Sequence, residues 1–125
     1  MQANTYTIDF DTKDNIIRYR IEGFWEVATV DAFVDALSRE AVLRSARGRK
    51  PALLGDASVF PVQSAPVAQA FEARMFSDVL PRVDRLALIV AAMLNKLQVE
   101  RGIGDSRTAV FLNEADALAW LRSPE

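Results

Sequence analysis

The chain has 125 residues, half of them hydrophobic, with 15 basic against 17 acidic side chains and a net charge of −2. It contains no Cys and no His, which excludes thiol nucleophiles, disulfides, thiolate metal sites and imidazole acid–base chemistry. One domain, residues 1–125, can therefore be held together by its apolar core. The balanced charge gives no general attraction for nucleic acid. No segment has the apolar length of a membrane span, and MQANTYTIDF has no basic n-region or long apolar run, so a cytoplasmic location is expected.

Residues 5–11, TYTIDFD, alternate strictly, with Tyr6, Ile8 and Phe10 on one side and Thr5, Thr7, Asp9 and Asp11 on the other. Residues 16–22, IIRYRIE, alternate in the same way, with Ile17, Tyr19 and Ile21 against Arg18, Arg20 and Glu22. Period-two alternation marks half-buried strands. A hairpin folded at the polar TKDN turn pairs Phe10 with Ile17, Ile8 with Tyr19 and Tyr6 with Ile21, and sets Asp9 opposite Arg18. Both faces agree on that register.

Gly23 ends the second strand, Phe24 and Trp25 follow, and a helix is expected over about 29–46. Its apolar stripe is Val30, Phe33, Val34, Leu37 and Ala41. Asp31 and Asp35 lie near its N-terminus and Arg44 and Arg47 near its C-terminus, as the macrodipole favours, with Gly48 as the cap. The basic run RSARGRK, 44–50, has no interleaved aromatic residue and reads as a solvated helix end rather than an anion-binding patch.

The stretch PALLGDASVFPVQSAP, 51–66, reads as a strand over 52–57, a polar turn, and the start of a helix over 64–80 that Pro81 stops. Val67, Phe71, Met75, Phe76, Val79 and Leu80 give this helix a wide apolar face. Residues 86–91, LALIVA, and 108–112, TAVFL, are further strands, with a short helix around 92–101 between them. Asn113 opens a last helix, with Asp116 placed to reach back. The last three strands are continuous apolar runs, which suit parallel strands covered on both faces. The expected fold is α/β, an N-terminal antiparallel hairpin followed by parallel strands, in the order β-β-α-β-α-β-α-β-α.

This order resembles the anti-sigma-factor antagonist (STAS) fold, and more closely the SpoIIAA-like (βα) superhelix of bacterial proteins. The likeness is carried by EGFWEVATVDAFVDAL (22–37), LLGDASVFPVQSAPVAQAF (53–71), LALIVAAMLNKLQVER (86–101) and TAVFLNEADALAWL (108–121). The resemblance implies a non-enzymatic interaction or regulatory module that binds a partner protein, itself in a homodimer, or a small ligand through the turn before the second helix. It also implies an Asp and then a phosphorylatable Ser there. Asp56 and Ser64 match by position, with Ser58 as a second candidate phosphoacceptor. The usual Asp-Ser-Ser-Gly run is replaced by Gln63-Ser64-Ala65-Pro66.

In open α/β sheets ligands bind beyond the carboxyl ends of the strands. That edge gathers the candidate partner- or ligand-binding residues Trp25, Asp56, Ser58, Ser64 and Asn113. Each also has an ordinary structural use: Trp25 in the core, Asp56 and Ser58 in a turn, Ser64 and Asn113 as helix N-caps. The alternative to the interaction module is a carrier holding a small apolar or anionic, lipid-like ligand at this edge. Asp56 and Glu114 are the only pair suited to acid–base work, and no Gly-rich phosphate loop, metal-ligand spacing or nucleophile elbow is present. No catalytic residue, metal or cofactor is therefore assigned.

Overall fold

The structure, a computed structural model, describes residues 5–46, 48–93, 96 and 107–123. Five strands form a single sheet in sequential order: β1 (Tyr6–Asp11), β2 (Ile16–Ile21), β3 (Ala52–Asp56), β4 (Leu86–Ile89) and β5 (Thr108–Phe111). β1 and β2 are antiparallel and the other neighbours parallel. The hairpin has the register its alternation demands, with Tyr6 opposite Ile21, Ile8 opposite Tyr19 and Phe10 opposite Ile17. Asn15 makes the turn at φ 57°, a left-handed conformation that Asn tolerates.

Three helices are described: α1 (Val27–Ser45), α2 (Ala65–Arg74) and α3 (Glu114–Arg122). The buried residues of α1 are the five of its predicted stripe. They pack with Ile17, Tyr19, Ile21, Leu53 and α2 into the larger core, on one face of the sheet. Phe33, fully buried, is its hub, with the rings of Tyr19, Tyr6, Trp25 and Phe71 centred 5.1, 5.2, 5.3 and 5.8 Å away. Truncating so central a ring to Ala costs about 3–5 kcal/mol. α3 covers the opposite face, where Ile16, Leu54, Ala87 and Ile89 meet Ala117, Leu118, Trp120 and Leu121. The C-terminal end of α3 is fastened to the hairpin turn by Arg122, whose guanidinium donates to Asp14 at 2.7 and 3.0 Å.

The second helix departs from the uniform 64–80 span expected of it. After Arg74 it widens into a π turn, Met75–Val79, and then tightens into a 3₁₀ turn, Leu80–Arg82, that contains Pro81. Pro81 has no N–H to continue the α pattern, so the backbone changes its hydrogen-bond spacing around it. The Leu80 N–H donates five residues back to Met75 O, and Asp78 O accepts instead from Ser38 Oγ at 3.3 Å and Arg82 Nε at 3.0 Å. The helix expected around 92–101 falls mostly outside the described residues; Met93 and Lys96 are helical, with Lys96 N–H donating to Ala92 O.

Gly55 occupies the middle of β3, where glycine is ordinarily a cost. Its register partner in β2 is Tyr19, whose ring lies directly over it. A Cβ at position 55 would fall 2.8 Å from Tyr19 Cε1 and overlap Cζ and the hydroxyl oxygen outright.

Candidate functional site

Because β2 to β5 are parallel, their carboxyl ends share one edge, and the loops that leave it lie side by side. The β2–α1 and β3–α2 loops are clamped together by Gln63. Its Oε1 accepts from the Trp25 N–H at 2.8 Å, and its Nε2 donates to Gly23 O at 3.0 Å and Pro61 O at 2.8 Å. Gly23 takes φ 81°, the conformation that lets the chain turn out of β2. Sequence reasoning passed over Gln63, since a lone amide in a loop carries no pattern.

Trp25 is buried at 6% exposure. Its Nε1 donates to Glu22 O at 2.9 Å, and its ring meets Tyr6, Phe33, Phe60 and Phe71. It anchors the edge from below, while its neighbour Phe24 stands 76% exposed. Phe60 turns back into the same aromatic cluster, whereas Val59 and Val62 remain outside, 49% and 89% exposed. The other parallel strands end similarly: Met93 follows β4 and Leu112 follows β5, both exposed. The edge therefore carries exposed apolar side chains among its polar ones.

Asp56 closes β3. Its Oδ1 accepts from the Ser58 N–H at 3.0 Å and from the Ser58 hydroxyl at 2.6 Å, an Asx turn with the serine side chain locked in. Its Oδ2 stands 3.9 Å from Arg20, and Glu114 lies 3.4 Å from Arg18. Arg18 and Arg20 are two residues apart on β2, on the α3 face, so each of the two carboxylates has its own cation.

Ser64 stands at the N-cap of α2, exposed, with no side-chain cap hydrogen bond. An N-cap hydroxyl normally accepts from the second or third helical N–H. Pro66 occupies the second position and has none. Asn113 does act as a cap: its Oδ1 accepts from the Asp116 N–H at 2.9 Å, and its Nδ2 donates to Asp116 Oδ2 at 3.1 Å. Trp25, Asp56, Ser58 and Ser64 thus gather around the two clamped loops, and Asn113 stands at the far end of the edge, beyond β5.

Behind the edge, between the sheet and α2, is a cavity of about 440 Å³. Tyr19, Leu86, Leu88 and Thr108 form its floor; Phe71, Met75, Phe76 and Leu80 form its wall, and Phe60, Pro61 and Gln63 reach it from the edge. The wall runs from α2 into the widened π turn, which contributes Met75 and Phe76, and π turns recur at functional sites. Burial pushes the Tyr19 phenol far above its ordinary pKa, so it stays protonated. Thr108 Oγ1 is buried without a hydrogen-bond partner among the described residues. Among the described residues no group of three His, Cys, Asp or Glu side chains could hold a metal ion, and no helix is long and apolar enough to cross a membrane.

No family model and no curated protein matches the sequence. The fold does match solved structures. One is an uncharacterized protein of the DUF3478 family with a SpoIIAA-like fold from Shewanella loihica, at TM-score 0.71 and 17% identity, covering 97% of this chain and 98% of that one. Another is an anti-sigma factor antagonist from Mycobacterium paratuberculosis, at TM-score 0.63 and 14% identity, covering 94% and 95%. Over nearly its whole length the chain has the SpoIIAA-like fold that the resemblance implied.

Proposed function

We propose that the protein is a non-enzymatic STAS-like interaction module that docks protein through the carboxyl edge of its sheet, and that a second copy of the chain is one such partner. The observation that carries this reading is where the exposed apolar side chains stand. Of the nine exposed large apolar side chains among the described residues, Phe24, Val59, Val62, Met93 and Leu112 follow the carboxyl end of a parallel strand and Val27 opens α1 beside them, while Val42, Leu43 and Phe76 stand on helices. The two most exposed, Phe24 and Val62, sit on the two loops that Gln63 ties together. Exposed apolar side chains gathered on one surface mark interaction sites. The fold shared with an anti-sigma factor antagonist supports the same assignment.

A phosphoacceptor in this module falls on Ser64 rather than Ser58. The Ser58 hydroxyl is held by Asp56, whereas Ser64 is exposed at a helix N-terminus, where added negative charge is favoured. Sedimentation velocity of the wild type against the double variant Phe24→Ser/Val62→Ser tests the docking surface. Concentration-dependent dimerisation that the variant loses is the expected result; identical behaviour of the two proteins would refute it.

A second reading, the ligand carrier, is favoured by the cavity. Its volume of about 440 Å³ lies within the roughly 300–1,000 Å³ of small-molecule sites, and its lining is mostly apolar. On this reading the ligand would lie behind the edge, under α2, rather than on the edge itself.

A further inference from the structure

Resting on the carrier reading, we infer that the cavity under α2 takes an uncharged, lipid-like molecule whose hydroxyl or carbonyl oxygen is held by the Tyr19 hydroxyl. The charge of the lining decides against an anion. No Lys or Arg lines the cavity among the described residues, and its one ionisable surface group is the carboxylate of Glu72. A carboxylate or phosphate carried into this space would lose its hydration and gain no cation. The hydrocarbon side chains of Leu86, Leu88, Met75, Phe76 and Leu80 suit an acyl or isoprenoid chain, and Met is adaptable enough to follow its shape.

The polar point is built by the sheet. Tyr19 is 3% exposed as a residue and lines the cavity. A phenol hydroxyl facing an apolar space is poorly served by water, and a ligand oxygen would give it a partner. Gly55 is what puts the hydroxyl there: the missing Cβ lets the phenol lie across β3 toward Leu88, a lining residue of β4. Thr108 lies on the floor of the cavity, two strands beyond Gly55, with its Oγ1 shielded beneath the surface.

The experiment is a titration of the purified protein with 1-decanol and, separately, with decanoate at pH 8, followed by calorimetry and by amide chemical shifts. Saturable binding of decanol is expected, with shifts at residues 19, 55 and 88 and at least a tenfold preference over decanoate. Tyr19→Phe, which keeps the ring and removes the hydroxyl, should weaken decanol binding about 3- to 10-fold. Ala68→Trp, on the exposed surface of α2 at the cavity rim, should block it without touching the core. Preference for decanoate would overturn the inference while leaving the carrier reading intact. Failure of both ligands to bind would overturn both. Decanol binding that is unchanged in Tyr19→Phe would overturn the assignment of the polar contact.

Discussion

The phenol of Tyr19 lies over Gly55, its register partner in the neighbouring strand, with no room for a Cβ between them. That relationship explains a glycine in the centre of a sheet and directs a buried hydroxyl toward the cavity. Gly55→Ala should cost about 1–3 kcal/mol, because strand pairing on both sides prevents the backbone from yielding. In a Gly55→Ala/Tyr19→Leu double variant the cost of the alanine should largely disappear. Urea unfolding of the four proteins measures the coupling; additive losses would mean that the ring is not what excludes the Cβ.

The same cavity predicts a stabilising substitution. Thr108→Val keeps the β-branched shape and removes a buried oxygen that has no partner. Stability should rise by roughly 1 kcal/mol. A loss of stability in thermal or urea melts would show that the hydroxyl is satisfied in solution.

Gln63 holds the loop pair by three hydrogen bonds of 2.8–3.0 Å. Gln63→Leu strands the Trp25 N–H and should cost about 1–3 kcal/mol. Amide exchange at Trp25 should accelerate by more than global destabilisation accounts for, since the clamp is local. Exchange that tracks global stability alone would show that Gln63 does not clamp the loops locally.

The sequence displayed the sheet and α1 clearly because their signals are repetitive. The hairpin register followed from two agreeing faces, and the helix stripe from its 3.6-residue period. The course of α2 was hidden, because its apolar face continues past Arg74 without announcing the change of hydrogen-bond spacing around Pro81. Asp31 and Asp35 offer a second case. Their helix position suggests only a favourable macrodipole, yet both carboxylates receive hydrogen bonds from Arg74 of α2, at 3.2 and 2.9 Å. The candidate edge was legible in outline, since parallel strands put their carboxyl ends together. Trp25 against Phe24 was not: adjacent aromatics give no sign of which one turns inward. Gln63 and the cavity depend on tertiary contacts between distant segments.

Arg74 also predicts a pH dependence. Its guanidinium, together with the Ser77 hydroxyl, holds the Asp78 carboxyl below its ordinary range. A depressed folded-state pKa contributes stability that is fully present above the unfolded value, about 3.9, and is lost as pH falls through the folded one. Arg74→Met should therefore melt earlier than the wild type at neutral pH, with the gap closing below about pH 4. Melting curves across that range decide it; a gap that widens in acid would contradict the assignment.

The claim that the carboxyl edge is a docking surface is tested most directly by sedimentation velocity over a wide concentration range, comparing the wild type with Phe24→Ser/Val62→Ser. Both substitutions are on exposed loop positions, so the variant should keep its fold by circular dichroism. The wild type is expected to shift to dimer as concentration rises, and the variant to sediment as a monomer throughout. A wild type that stays monomeric at the highest concentration, or a variant that dimerises as well as the wild type, would contradict it.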